Sequence, residues 1–199
     1  MAQYFENDES LSDEQYTVHF QINGHPFQFV TLPGVFSNRH LDMGSRLLIE
    51  QILKINLTGT VLDLGCGYGC IGLTIKYFNR SIDMSLSDIN LRACTCTRMN
   101  SEKLGLDDVN VIESDSFSGI DGKFDTIVFN PPIRTGKKVI YQMFLEARSH
   151  LNDNGQFIIV IRKDQGALSA HEYIQSIFDT GELLFRKHGY HIYRYSIRS

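Results

Sequence analysis

Apolar and polar positions alternate strictly near the start of the chain. Tyr16, Val18, Phe20 and Ile22 share one face of an extended segment, and Phe27, Phe29 and Thr31 repeat the pattern after Asn23-Gly24. A two-residue Asn-Gly turn joins antiparallel strands, which pairs Ile22 with His25 and sets Phe20 opposite Phe27 and Val18 opposite Phe29. The period then changes. Leu47, Leu48, Gln51 and Ile52 predict a helix over 44–54. Further on, short apolar runs alternate with helical patterns. The runs predict strands near 60–64, 82–87, 109–113, 124–129 and 156–161, separated by helices near 70–79, 90–104, 138–150 and 168–178. Two more strands, near 182–187 and 190–197, turn at His188-Gly189. This alternation is that of an α/β fold with a largely parallel sheet, in which ligands bind beyond the carboxyl ends of the strands.

Two strand ends carry unusual chemistry. The first lies in Val61-Leu62-Asp63-Leu64-Gly65-Cys66-Gly67-Tyr68-Gly69-Cys70-Ile71-Gly72-Leu73, where an apolar strand meets glycines at positions 65, 67 and 69 and then a helical pattern. Glycines permit a sharp turn and close backbone approach to a ligand, and the helix start offers free N–H groups. Gly67-x-Gly69-x-x-Gly72 matches the dinucleotide fingerprint, which leaves a nicotinamide enzyme as a competing reading. Asp63, two residues before Gly65, can receive a ligand amino group, which favours S-adenosylmethionine. Asp88, with Ile89 after it, ends the next strand where a carboxylate can accept both ribose hydroxyls, a role that serves either cofactor. The second strand end is Phe124-Asp125-Thr126-Ile127-Val128-Phe129, which stops at Asn130-Pro131-Pro132-Ile133. Two prolines fix their own φ, donate no hydrogen bond and hold Asn130 extended. Such a turn can accept both hydrogens of a planar amino group, one at the Asn130 side-chain oxygen and one at a backbone carbonyl.

Together, Asp63-Leu-Gly-Cys-Gly-Tyr-Gly, Asp88, Ser114-Asp115-Ser116 and Asn130-Pro-Pro-Ile resemble the class I S-adenosylmethionine-dependent methyltransferases. Pro33-Gly34-Val35-Phe36-Ser37, Leu41-Asp42-Met43-Gly44-Ser45 and Asn130 through Lys137 narrow the resemblance to the small-subunit ribosomal RNA guanine (2-amino) methyltransferases, over about residues 16–199. The resemblance implies a Rossmann-like, seven-stranded, mostly parallel sheet with an antiparallel final strand, preceded by the hairpin. It implies a cofactor site from Asp63, Gly65, Gly67, Gly69, Asp88, Ile89, Asp115, Ser116 and Asn130, and catalysis at Asn130, Pro131, Pro132 and Ile133. Phe36 and Ser37 would cover the reacting end, and Arg134, Lys137 and Lys138 would hold substrate. Longer members carry two methyltransferase-like domains; this chain matches one. Many amino-group methyltransferases place an aromatic residue after the two prolines, where Ile133 offers an apolar contact. The expected reaction is methylation of a guanine amino group in ribosomal RNA, free or in a small-subunit particle. Methylation of a protein glutamine, an adenine or a small molecule, or a non-catalytic cofactor-binding RNA module, are the alternatives.

Charge refines the substrate. The formal net charge is −4, yet residues 134–199 hold 10 basic and 6 acidic side chains against 9 and 17 before them. The excess of cations begins at the Asn130 loop, where it can meet phosphates. The four cysteines, at 66, 70, 94 and 96, lack zinc or redox spacing and read as buried thiols of a reducing cytoplasm. No metal is expected. No apolar run reaches the ~20 residues of a membrane span. An acidic flexible tail is expected over 1–14 and a single domain over 15–199, with hairpin and cover over 15–45 and the core over 46–199. A homodimer is an allowed assembly.

Overall fold

A computed structural model describes residues 11–37, 39–132 and 136–198. Ile133, Arg134 and residues 1–10 therefore lie outside the described part. Strands β1 (Tyr16–Ile22) and β2 (His25–Thr31) form a separate antiparallel hairpin with Phe20 paired to Phe27, Val18 to Phe29 and Ile22 to His25. The following elements are α1 (Met43–Ile52), β3 (Thr60–Leu64), α2 (Cys70–Phe78), β4 (Asp83–Asp88), α3 (Leu91–Lys103) and β5 (Asn110–Glu113). After these come β6 (Phe124–Phe129), α4 (Lys137–Ser149), β7 (Leu151–Arg162), α5 (Ala167–Ile177), β8 (Thr180–Lys187) and β9 (Tyr190–Ser196).

Seven strands make one sheet in the order β5-β4-β3-β6-β7-β9-β8. Neighbours from β5 to β7 run parallel, and β9 runs antiparallel between β7 and β8. The chain reverses direction across the sheet between β3 and β6, which opens the switch point at which α/β sheets bind ligands. One face of the sheet buries Val61, Met84, Val128, Ile158 and Ile192 against α1, α2, α3 and the hairpin. The other buries Leu62, Ile127, Phe129, Phe157 and Tyr195 against α4 and α5. Central strands covered on both faces are near-continuously apolar, as Ile127-Val128-Phe129 and Phe157 through Ile161 are.

The hairpin is fastened to the core by a polar clip. Buried Asn100 on α3 accepts from Val30 N–H at 2.7 Å and donates to Val30 O and Tyr68 O, each at 2.9 Å. It thereby joins β2 and the glycine loop through one side chain. Asn100→Ala strands three backbone groups and is expected to cost about 2–4 kcal/mol, read as a lower urea midpoint at unchanged slope. Two residues of the expected tail make contacts with the rest of the fold. Asp13 is ion-paired with Arg92 at 2.9 Å, and Leu11 packs so closely on Gly34 that a Cβ there would sit 2.7 Å away.

Candidate active site

Sheet register aligns the candidate residues. Leu64 pairs with Ser87 on one side and with Phe129 on the other. The next residues, Gly65, Asp88 and Asn130, therefore share a row just past the carboxyl edge. Asp63 lies one step inside it, 1% exposed, at the end of β3.

Asp63 Oδ2 accepts from Gly72 N–H at 2.8 Å, while Oδ1 is buried without a partner. Burial raises its pKa from 3.8 to about 7, against the lowering effect of the Gly72 bond and with a further push from Asp88. Gly72 is required here by packing, since a Cβ would stand 2.7 Å from Leu86 Cδ2 and 3.0 Å from Asp63 Cβ. Gly67 differs: its φ is +59°, and a Cβ there would meet nothing within 4 Å. Its backbone N–H donates to Asp88 Oδ2 at 2.8 Å, and Asp88 Oδ1 accepts from Asn90 N–H at 2.9 Å. Asp88 thus ties the glycine loop to the end of β4. A carboxylate accepts about four hydrogen bonds, so this role and a ribose contact are compatible. Ile89 is half-buried between Asp88 and Asn90, and Asn90 caps α3 through Arg92 N–H and Ala93 N–H.

Asn130 is held from a distance in sequence. Its Nδ2 donates to Asp42 Oδ2 at 3.0 Å and to Ser45 Oγ at 2.9 Å. An ionised carboxylate only accepts, so Asp42 fixes which end of the amide faces it and leaves Oδ1 turned away. Asp42 is itself the N-cap of α1, accepting from Gly44 N–H and Ser45 N–H at 3.1 and 2.8 Å. Helix start and amide orientation therefore depend on one side chain. Asp42 and Ser45 entered the sequence reading only as part of a family motif. The detectable local signal was an Asp just before a helical pattern, which marks a cap but not its second partner.

The remaining candidates sit further out. Pro131 is buried and Pro132 half-buried beside Asn130. Phe36 is 59% exposed on the loop after β2, and the Ser37 hydroxyl donates to His40 O. That loop is joined to the row by Asn90 Nδ2, which donates to Gly34 O at 3.3 Å. Asp115 is exposed beyond the outermost strand, and the hydroxyl of Ser116 is committed to Glu146 Oε2 on α4 at 2.6 Å. The structure thus gathers Asp63, Gly65, Gly67, Asp88 and Asn130, and leaves Asp115 and Phe36 at the rim. Lys137 and Lys138 are exposed in the first turn of α4. Cations there oppose the helix dipole, so the site combines positive side chains with a positive helix end. All four cysteines are buried and free, and burial pushes the Cys70 thiol up to about 12. Among the described residues no helix is long and apolar enough to cross a membrane.

The sheet order, the glycine loop and the row at the carboxyl edge define the Rossmann-like fold of class I S-adenosylmethionine-dependent methyltransferases. Among solved structures, the T. thermophilus 16S rRNA N2 G1207 methyltransferase, in complex with AdoMet and guanosine, superposes with a TM-score of 0.81 at 24% identity, covering 95% of this chain and 51% of that one. The family model described as "Methyltransferase small domain" matches residues 26–194, and the chain belongs to that family. It is 38% identical over 191 residues to the uncharacterized protein YbxB of Bacillus subtilis (strain 168), with 95% of each covered. It is 33% identical over 147 residues to ribosomal RNA small subunit methyltransferase C of Pseudoalteromonas atlantica, over 72% of this chain and 42% of the relative. The chain thus spans about half or less of the length of these ribosomal RNA methyltransferases.

The residues present fit S-adenosylmethionine. The unpartnered Asp63 Oδ1 suits an ammonium group, and the open space over Gly67 leaves room for close backbone approach.

Proposed function

We propose that this chain methylates the exocyclic 2-amino group of a guanine in ribosomal RNA. The observation that supports this reading best is the Asn130 amide, whose donor end is consumed by Asp42 and Ser45 so that its carbonyl is the end presented. A presented acceptor beside a rigid Pro-Pro turn suits a substrate that brings two hydrogens on one nitrogen. The names of the ribosomal RNA relatives, and the guanosine in the T. thermophilus complex, support the same choice.

S-adenosylmethionine supplies, when bound, a methyl group on a positively charged sulfur. Asp63 and the glycine loop would hold its methionine end and Asp88 its ribose. An arylamine is a poor nucleophile because its lone pair is delocalised into the ring. Asn130 Oδ1 and the Pro131 carbonyl each accept one amino hydrogen, which favours a tetrahedral nitrogen and frees that lone pair. Acceleration then comes chiefly from positioning by a fixed dipole at the carboxyl edge of the sheet. Lys137, Lys138 and Arg134 would meet the phosphates near the base. A base inside a duplex must leave its stack first, at a cost of about a few kcal/mol.

The reading is tested by incubating the protein with methyl-labelled S-adenosylmethionine and small ribosomal subunits, or their naked RNA, that lack guanine methylation. Digestion to nucleosides is expected to place the label on the 2-amino group of guanosine. Label found only in ribosomal protein, or in another nucleoside, would reject it.

A further inference from the structure

We propose that a basic strip runs from the start of α4 across the end of β7 to the tip of the β8–β9 hairpin, where Lys163, Arg186 and Lys187 hold phosphates of the RNA strand that delivers the target base. This assignment rests on the RNA reading above and adds a second grip on the same strand.

Strand direction brings these residues to the catalytic edge. β9 is antiparallel to both of its neighbours, with Tyr190 paired to Arg162 of β7 and to Lys187 of β8. The end of β8 therefore lies at the same edge as the end of β7, and as Asn130 at the end of β6. Lys163 N–H donates to Gly189 O at 2.7 Å, which locks the hairpin turn onto the β7 end. A Cβ on Gly166 would stand 4.0 Å from Lys137 Cε, so the turn after β7 also touches the start of α4. From β6 to β8 is three strand spacings, or about 14 Å. The hairpin tip is also packed on the catalytic loop's support. A Cβ on Gly44, two residues after Asp42, would meet the Tyr190 ring at 2.9 Å.

Charge pairing separates this strip from an ordinary solvated face. At the far end of the hairpin, arginines meet acids: Arg194 pairs with Glu182, and Arg148 with Asp179 at 3.8 Å. At the catalytic end, Asp164 is taken by Arg162 at 2.9 Å. Lys137, Lys138, Lys163, Arg186 and Lys187 form no ion pair among the described residues. The local field is correspondingly positive. Burial first, and then the charges of Arg186 and Lys163, hold the His191 pKa below its usual 6.5. A polyanion is the partner that this arrangement fits, and RNA is the one that also suits the amino-group site.

The test is RNA affinity across a salt series for wild type, the triple variant Lys163→Ala/Arg186→Ala/Lys187→Ala, Lys137→Ala/Lys138→Ala, and Arg198→Ala as a control at the far end. The triple variant is expected to flatten the slope of log affinity against log salt by about two, as loss of three phosphate contacts to a single strand implies. Its S-adenosylmethionine affinity should match wild type, and Arg198→Ala should keep the wild-type slope. Lys187→Glu alone, at an exposed position, should weaken binding at low salt and converge on wild type at high salt. A wild-type slope in the triple variant, with a flattened slope in Lys137→Ala/Lys138→Ala, would confine the grip to α4 and overturn the proposal. Absence of RNA binding by wild type at any salt would instead remove the RNA reading itself, and this strip with it.

Discussion

Asn130→Ala is expected to lower turnover at least ~100-fold, on the scale of removing one preorganised polar group from a transition state. S-adenosylmethionine affinity should change much less than turnover, because the amide carbonyl is proposed to act chiefly as acceptor for the target amino group. The support of the amide can be tested separately from its chemistry. Asp42→Ser keeps a good N-cap for α1, since Ser caps almost as well as Asp, but it is too short to reach Asn130. It should leave thermal stability nearly intact and reduce turnover by about tenfold, while adding nothing in an Asn130→Ala background, as coupled residues behave. Near-normal turnover of Asn130→Ala would make Asn130 a turn residue and remove the mechanism.

Cofactor affinity is expected to depend on pH through Asp63. Burial keeps its proton on up to about pH 7, whereas an exposed aspartate loses it near 3.8. Between those values the native state holds more protons than the unfolded one, so Asp63 makes stability fall as pH rises from about 4 to about 7. Binding an ammonium group at Oδ1 favours the ionised carboxylate. S-adenosylmethionine affinity should therefore weaken by about tenfold for each pH unit below about 7, as proton displacement requires. Asp63→Asn cannot ionise; it should bind more weakly at pH 8 and show a flat profile between pH 5 and 8. Titration calorimetry at several pH values measures both. An equally steep profile in Asp63→Asn would assign the proton to another group.

Much of this organisation was legible in local sequence. Alternation around Asn23-Gly24 was sufficient for the hairpin pairing, because a two-residue turn leaves the strands a single register. The strand ends at Asp63, Asp88 and Asn130 were marked by abrupt changes from apolar residues to glycine, acid or proline. Sheet register then set Asp88 and Asn130 on either side of Gly65. The contacts that were not legible join residues far apart in the chain. The Asn130–Asp42 hydrogen bond spans 88 positions and the Asn100–Val30 bonds span 70. Polar side chains of this kind carry no periodicity, and nothing near Asn100 distinguishes a buried clip from a solvated helix residue. Asp115 follows the rule of the other strand ends: Glu113 of β5 pairs with Asp88, so Asp115 stands at the shared edge, exposed because β5 is the outermost strand. The hairpin tip required the strand order itself, since only the placement of β9 between β7 and β8 brings the end of β8, with Arg186 and Lys187, to the sheet edge that carries Asn130.

The most direct test of the central claim replaces the target base. Once the labelled guanosine has been located, an RNA or reconstituted subunit carrying inosine at that position retains the ring and the 6-oxygen but lacks the 2-amino group. The account predicts no transfer to inosine and restored transfer to 2-aminopurine, which regains the amino group without the oxygen. Label transferred to the inosine substrate at the guanosine rate would contradict methylation of the amino nitrogen.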